Sequence, residues 1–108
     1  MAWIYLIIAG IFEIGWPLGF KLAQTPASTA VWITFSIISM SLSGLFLYLA
    51  QRTIPIGIAY ATWTGVGAVG TFLLGVIVFQ DKSTLLSWAG LAMIISGISL
   101  LKISHLTA

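Results

Sequence analysis

Four runs of about twenty mostly apolar residues occupy nearly the whole of this 108-residue chain. Twenty residues of α-helix are ~30 Å long, which matches the hydrocarbon thickness of a bilayer. The runs are expected at about 2–22, 30–50, 56–79 and 85–103. What separates them is short and polar. Residues 23–29 include Gln24, Thr25, Pro26, Ser28 and Thr29. Gln51, Arg52 and Thr53 precede Pro55, which is well placed to open a helix. Gln80, Asp81, Lys82 and Ser83 make a turn, with Ser83 a candidate cap for the fourth helix. Only 6% of the residues are charged, against about a quarter in an ordinary soluble domain. A membrane β-barrel would need alternating segments of about ten residues, and none is present. The expectation is an all-α integral membrane protein, with four transmembrane helices in one domain over residues 1–108.

Several function classes drop out. There is no cysteine, so disulfides and thiolate metal sites are excluded, and the lone His105 makes no metal site. No nucleophile–base pair and no phosphate-binding loop appears, so neither an enzyme nor a cofactor is expected. Four basic residues scattered along the chain form no patch for nucleic acid, despite a pI near 9.3. The first run lacks a basic leader and a small-x-small cleavage site, and it carries an acid at its middle. It is therefore read as a permanent helix and not as a signal peptide.

An even number of spans puts both termini on one side, together with the second loop. That side holds Arg52 and Lys102, with His105 as a further candidate charge. The other side holds Lys21 and Lys82. The positive-inside rule then assigns no orientation. Two readings stay open. Lysines at helix ends snorkel and blur the tally, or the chain inserts both ways and pairs with an inverted copy of itself. Four helices enclose a polar pathway poorly, and a dimer of eight is the economical solution. Gly90 and Gly97 lie on one stripe of the fourth run. Such small residues suit close helix packing, within one subunit or between two.

Glu13 sits halfway along the first run. A charged side chain there costs ~3 kcal/mol or more to insert, and such residues usually face a bundle interior or a water-filled cavity. Loss of hydration penalises the carboxylate form. That lets the group trade protons near neutral pH, as a proton-coupled carrier requires. The alternative is a protonated acid with a purely structural hydrogen bond. On a helix, Ala9, Gly10, Trp16 and Pro17 share the face of Glu13. The small residues leave room, while Trp16 supplies an indole wall and an N–H donor, suited to a cation held at the acid. Pro17 removes the helical partner of the Glu13 carbonyl, so the first helix is expected to bend or loosen there. In the third run Tyr60 and Trp63 are one turn apart, and Thr64 and Gly67 continue the face. Gly65, Gly67 and Gly70 make that run pliable. The serines of the second run, Ser36, Ser39, Ser41 and Ser43, are expected mostly to bond back to their own helix.

These residues resemble the small multidrug resistance family over essentially the whole chain. The resemblance rests on size, four spans, Glu13 in the first span and the string Pro55-Ile56-Gly57-Ile58-Ala59-Tyr60-Ala61-Thr62-Trp63-Thr64-Gly65-Val66-Gly67. It implies an antiparallel homodimer in the bacterial inner membrane that exports small organic cations in exchange for protons, with the two Glu13 side chains sharing one site. Glu13-Ile14-Gly15-Trp16 together with Lys21 is similar to the guanidinium-exporting subtype. By the same resemblance Ser43 matches a serine that hydrogen-bonds in the site, Tyr60 and Trp63 match site aromatics, and Lys102 matches a lysine at the end of the last helix. Pro17 departs from the usual small residue, and Gly44 leaves more space than an aromatic would.

The expected substrate/proton site is therefore Glu13, Trp16, Ser43, Tyr60 and Trp63. Gly10, Pro17, Gly65 and Gly67 are expected beside it, and Gly90 and Gly97 in dimer packing. Glu13 binds a proton or a cation, and competition couples the two flows. A planar guanidinium, with its fork of N–H donors, suits such a site better than a tetraalkylammonium, which donates nothing. A broad quaternary-ammonium exporter, a non-transporting membrane subunit and an obligate heterodimer are the alternatives.

Overall fold

The structure is a computed structural model that describes residues 1–107. It contains four long helices: α1 (Ala2–Leu22), α2 (Thr29–Ala50), α3 (Ile56–Ile77) and α4 (Leu85–Thr107). A 3-10 turn over Pro26–Ser28 leads into α2. Each of the four is long and apolar enough to cross a membrane. The chain is an all-α, multi-pass membrane protein.

Helix ends follow local chemistry. Pro55 stands just before α3, and its carbonyl accepts the Ala59 N–H at 2.9 Å. α3 stops at Ile77, short of residue 79. Beyond it Gln80 takes a left-handed φ of 54° and the Asp81 N–H turns back to the Gly75 carbonyl at 2.9 Å. Ser83 is not the cap of α4. Thr84 is: its Oγ1 accepts the Ser87 N–H at 3.1 Å, and Ser87 Oγ accepts the Thr84 N–H at 3.3 Å. This reciprocal pair satisfies two free donors at once, and Ser83 Oγ instead accepts from the Trp88 indole at 3.1 Å. α4 runs on past residue 103. Its last turns pack on Trp3, with Lys102 Nζ 5.5 Å and the His105 ring 5.7 Å from that indole. The contact puts the start of α1 and the end of α4 on the same side.

α1 is the centre of the packing. It lies along the length of α2 on one flank and against α3 on the other, while the main neighbour of α4 is α3. The α1–α2 seam is made of small residues. A Cβ at Gly15 would lie 2.6 Å from Ser39 Oγ, and one at Gly19 would strike Ser36 Oγ and come 2.9 Å from the Trp32 carbonyl. Helices in lipid associate through this kind of close backbone approach. Here the expectation for the serines is corrected. Ser41 does bond to its own helix, at the Ile37 carbonyl, but Ser36 and Ser43 cross to α1. They do so because Gly19 and Ala9 bring the α1 backbone within reach. At one end, Leu6, Ala50, Ile54 and Ala59 form a buried cluster that ties α1, α2 and α3 together.

α4 is different. Leu91 is its only buried position among the described residues. The molecule is accordingly flat, 51 × 35 × 17 Å. A Cβ at Gly90 or Gly97 would meet nothing within 4 Å, so neither glycine is used for packing inside this chain.

Candidate functional site

The site is built on the α1–α3 seam. Gly10 meets Val66, where an added Cβ would lie 2.5 Å from a Val66 methyl, and Ile14 lies against Gly70. Between these two contacts Glu13 crosses Gly67, and a Cβ there would lie 2.5 Å from Glu13 Cγ. Only a residue without a side chain lets the stem of the acid lie flat on α3. The seam thereby carries Glu13 through to its far side, into a cavity of about 240 Å³ lined by Glu13, Pro17, Thr64, Gly67, Ala68 and Thr71.

The carboxyl has one hydrogen-bond partner among the described residues. Trp16, one helical turn on, donates its indole N–H to Glu13 Oε1 at 2.6 Å. Trp16 is steadied by an edge-on contact with Phe20, ring centroids 5.6 Å apart. A carboxylate offers about four acceptor positions. One neutral donor leaves most of them unused, and no lysine or arginine is paired with Glu13 among the described residues. The arrangement suits an arriving proton or a cation with several N–H groups.

Pro17 lies in the same wall, and α1 continues through it as one helix. The peptide just before Pro17 has an outside partner: Ser36 Oγ donates to the Trp16 carbonyl at 2.9 Å. One turn before Glu13 a second cross-link ties three helices. The Trp63 indole donates to Ser43 Oγ at 2.8 Å, and Ser43 donates to the Ala9 carbonyl at 2.8 Å. In an α-helix that carbonyl also accepts the N–H of residue 13. The pair therefore fixes the backbone under the acid and does not touch its carboxyl.

Glu13, Trp16, Pro17 and Gly67 are thus brought together. Trp63 and Ser43 sit beside them as supports. Tyr60 is tilted against Trp63 with ring centroids 5.5 Å apart, is 56% exposed, and faces out of the protomer. Gly65 faces the other way, onto Ile98 of α4, and Gly10 serves the α1–α3 contact. Thr71 and Ala68 were missed as lining residues. Helical spacing from Gly67 would have found them, since 64, 67, 68 and 71 share a face.

The Glu13 cavity is half-built. Tyr60, Thr64 and Ala68, on the α3 side of it, are exposed. In a bilayer this edge would place a carboxyl and hydroxyls against lipid, which is costly.

Comparison with known proteins agrees with the sequence resemblance. The family model described as "Small Multidrug Resistance protein" matches residues 1–94. The chain is 41% identical to a protein named "Guanidinium exporter" from Proteus vulgaris, over 96% of this chain and 99% of that one. It is 38% identical to proteins of the same name from Escherichia coli (strain K12), covering 96% of this chain and 98% of the relative, and from Yersinia pestis, covering 96% and 99%.

Proposed function

This chain belongs to the small multidrug resistance family, and on that footing we propose that it exports guanidinium and small substituted guanidinyl cations in exchange for protons. It is a multi-pass protein of the bacterial inner membrane. Glu13 takes either a proton or the cation, and the exclusion of one by the other couples the two flows. The working unit is an antiparallel homodimer in which two Glu13 side chains face one shared site.

The observation that carries this reading is the Glu13 carboxyl itself, held at mid-membrane by a single indole N–H and opening onto a cavity the protomer leaves unfinished. A second copy would cover that edge and bring a second carboxyl. It would also bring Tyr60, which is exposed in the protomer, against the site. The outward glycines of α4, Gly90 and Gly97, offer a close-packing stripe for the same partner. Two carboxylates and flat aromatic walls match a planar donor-rich cation, which each carboxylate can grip through paired N–H bonds. A Cβ at Gly44 would meet nothing within 4 Å, so the position after Ser43 on α2 is open in the protomer.

The test is transport by purified protein in liposomes. Guanidinium should drive proton-coupled currents on a solid-supported membrane, larger than those of a tetraalkylammonium. Glu13→Gln should abolish them while the protein still elutes as a folded dimer. Coupled currents surviving in that variant would sink the mechanism. A larger response to tetraalkylammonium would convert the reading to a quaternary-ammonium exporter.

A further inference from the structure

The chain has two acidic residues, and the second, Asp81, is not in the mid-membrane site. It lies in the connection after α3, where solvent exposure alone would let its side chain point anywhere. It points back along the helix. The left-handed Gln80 reverses the chain, the Asp81 N–H bonds the Gly75 carbonyl at 2.9 Å, and the carboxylate rests on Gly75. A Cβ at Gly75 would stand 2.6 Å from Asp81 Oδ2, so this placement depends on glycine.

The carboxylate lands in a cavity of about 160 Å³ between the ends of α1 and α3, whose lining includes Pro17, Lys21, Thr71, Gly75, Phe79 and Asp81. Pro17 and Thr71 also line the Glu13 cavity. The two cavities therefore adjoin on the same face of the α1–α3 seam, Asp81 at the mouth and Glu13 inside. Eight residues of helix separate Gly67 from Gly75, about 12 Å along the axis. The mouth already holds one cation, because Lys21 Nζ lies 5.8 Å from the centre of the Phe79 ring. Lys21 makes no ion pair with Asp81 among the described residues. An aromatic face filled by a tethered ammonium, beside an unpaired carboxylate, is the furniture of a cation site.

We propose that Asp81 and Phe79 form an outer station for the transported cation, which it occupies between water and Glu13, with Lys21 as the tethered group it displaces. The station rests on the export reading given above. It raises the local concentration of cation at the mouth and leaves the exchange at Glu13 untouched. Such focusing by a carboxylate is screened by salt.

The experiment compares wild type, Asp81→Asn and Asp81→Glu in liposomes, with guanidinium as the probe, at low and at high ionic strength. At low ionic strength Asp81→Asn should lower kcat/KM about tenfold with the saturating rate unchanged. Asp81→Glu should restore most of the loss. Raising the salt should bring wild type down to the Asn variant. The proposal is overturned if Asp81→Asn matches wild type at low salt, or if it lowers the saturating rate and leaves KM alone. A wild-type protein with no guanidinium current overturns the export reading and this station together. A wild-type current that Asp81→Asn does not alter overturns the station alone.

Discussion

α1 has two flanks built from the same small-residue material, and they do opposite work. Towards α2, Gly15 and Gly19 admit Ser39 and Ser36, and Ser36 and Ser43 spend their hydroxyls on α1 carbonyls. That seam is closed, and the hydroxyls of Ser36 and Ser43 are satisfied across it. Towards α3, Gly67 admits the stem of Glu13, and the carboxyl emerges into open space with a single donor. Close approach on the first flank makes a rigid support. On the second it threads an acid through a helix contact and leaves its acceptors free.

This contrast predicts different consequences for the two kinds of glycine. Filling Gly67 should act on function first. Gly67→Val pushes the Glu13 stem off α3, and a displacement near 1 Å should lower the guanidinium transport rate about 100-fold, measured beside an unchanged elution profile. A Gly67→Val protein that transports like wild type would mean the acid does not need its bed on α3. Filling Gly19 should act on stability first. The added methyl meets Ser36 Oγ and the Trp32 backbone, so Gly19→Ala should cost ~1–3 kcal/mol, read as a lower unfolding midpoint in detergent. Guanidinium affinity of the protein that remains folded should change little. Equal loss of affinity in both variants would erase the distinction between the flanks.

The smallest effect is expected at Thr62. Its hydroxyl is buried and has no hydrogen-bond partner, the only such side-chain atom among the described residues. It belongs to neither flank's network. Thr62→Val removes an unpaired polar group without changing shape, so stability should shift by less than ~1 kcal/mol and in the stabilising direction. A marked loss of stability or transport would reveal a partner for this hydroxyl in the assembled protein.

Much of the site could be read along one helix. Glu13 and Trp16 are one turn apart in the same element, so their bond follows from spacing. The face of Thr64 and Gly67 was equally legible. What could not be read is whatever depends on which faces of two helices meet. Nothing local says that Ser36 and Ser43 abandon their own helix for α1, because their partners lie 20 and 34 residues away. Nothing local divides Gly65 from Gly67, neighbours on α3 that serve α4 and the acid respectively. The cap at Thr84 was obscured by an adjacent serine with the same capping chemistry.

Apolar runs of bilayer length, broken by short polar turns, were enough to dictate four crossing helices, because a backbone in oil must satisfy its own hydrogen bonds and a helix does so within each run. They dictated as well that one acid would sit at mid-depth. Whether that acid would be shielded, paired or left open was a matter of helix rotation and contact. Those are set by how small residues on separate helices fit together, a property of pairs of surfaces that no single stretch of chain contains.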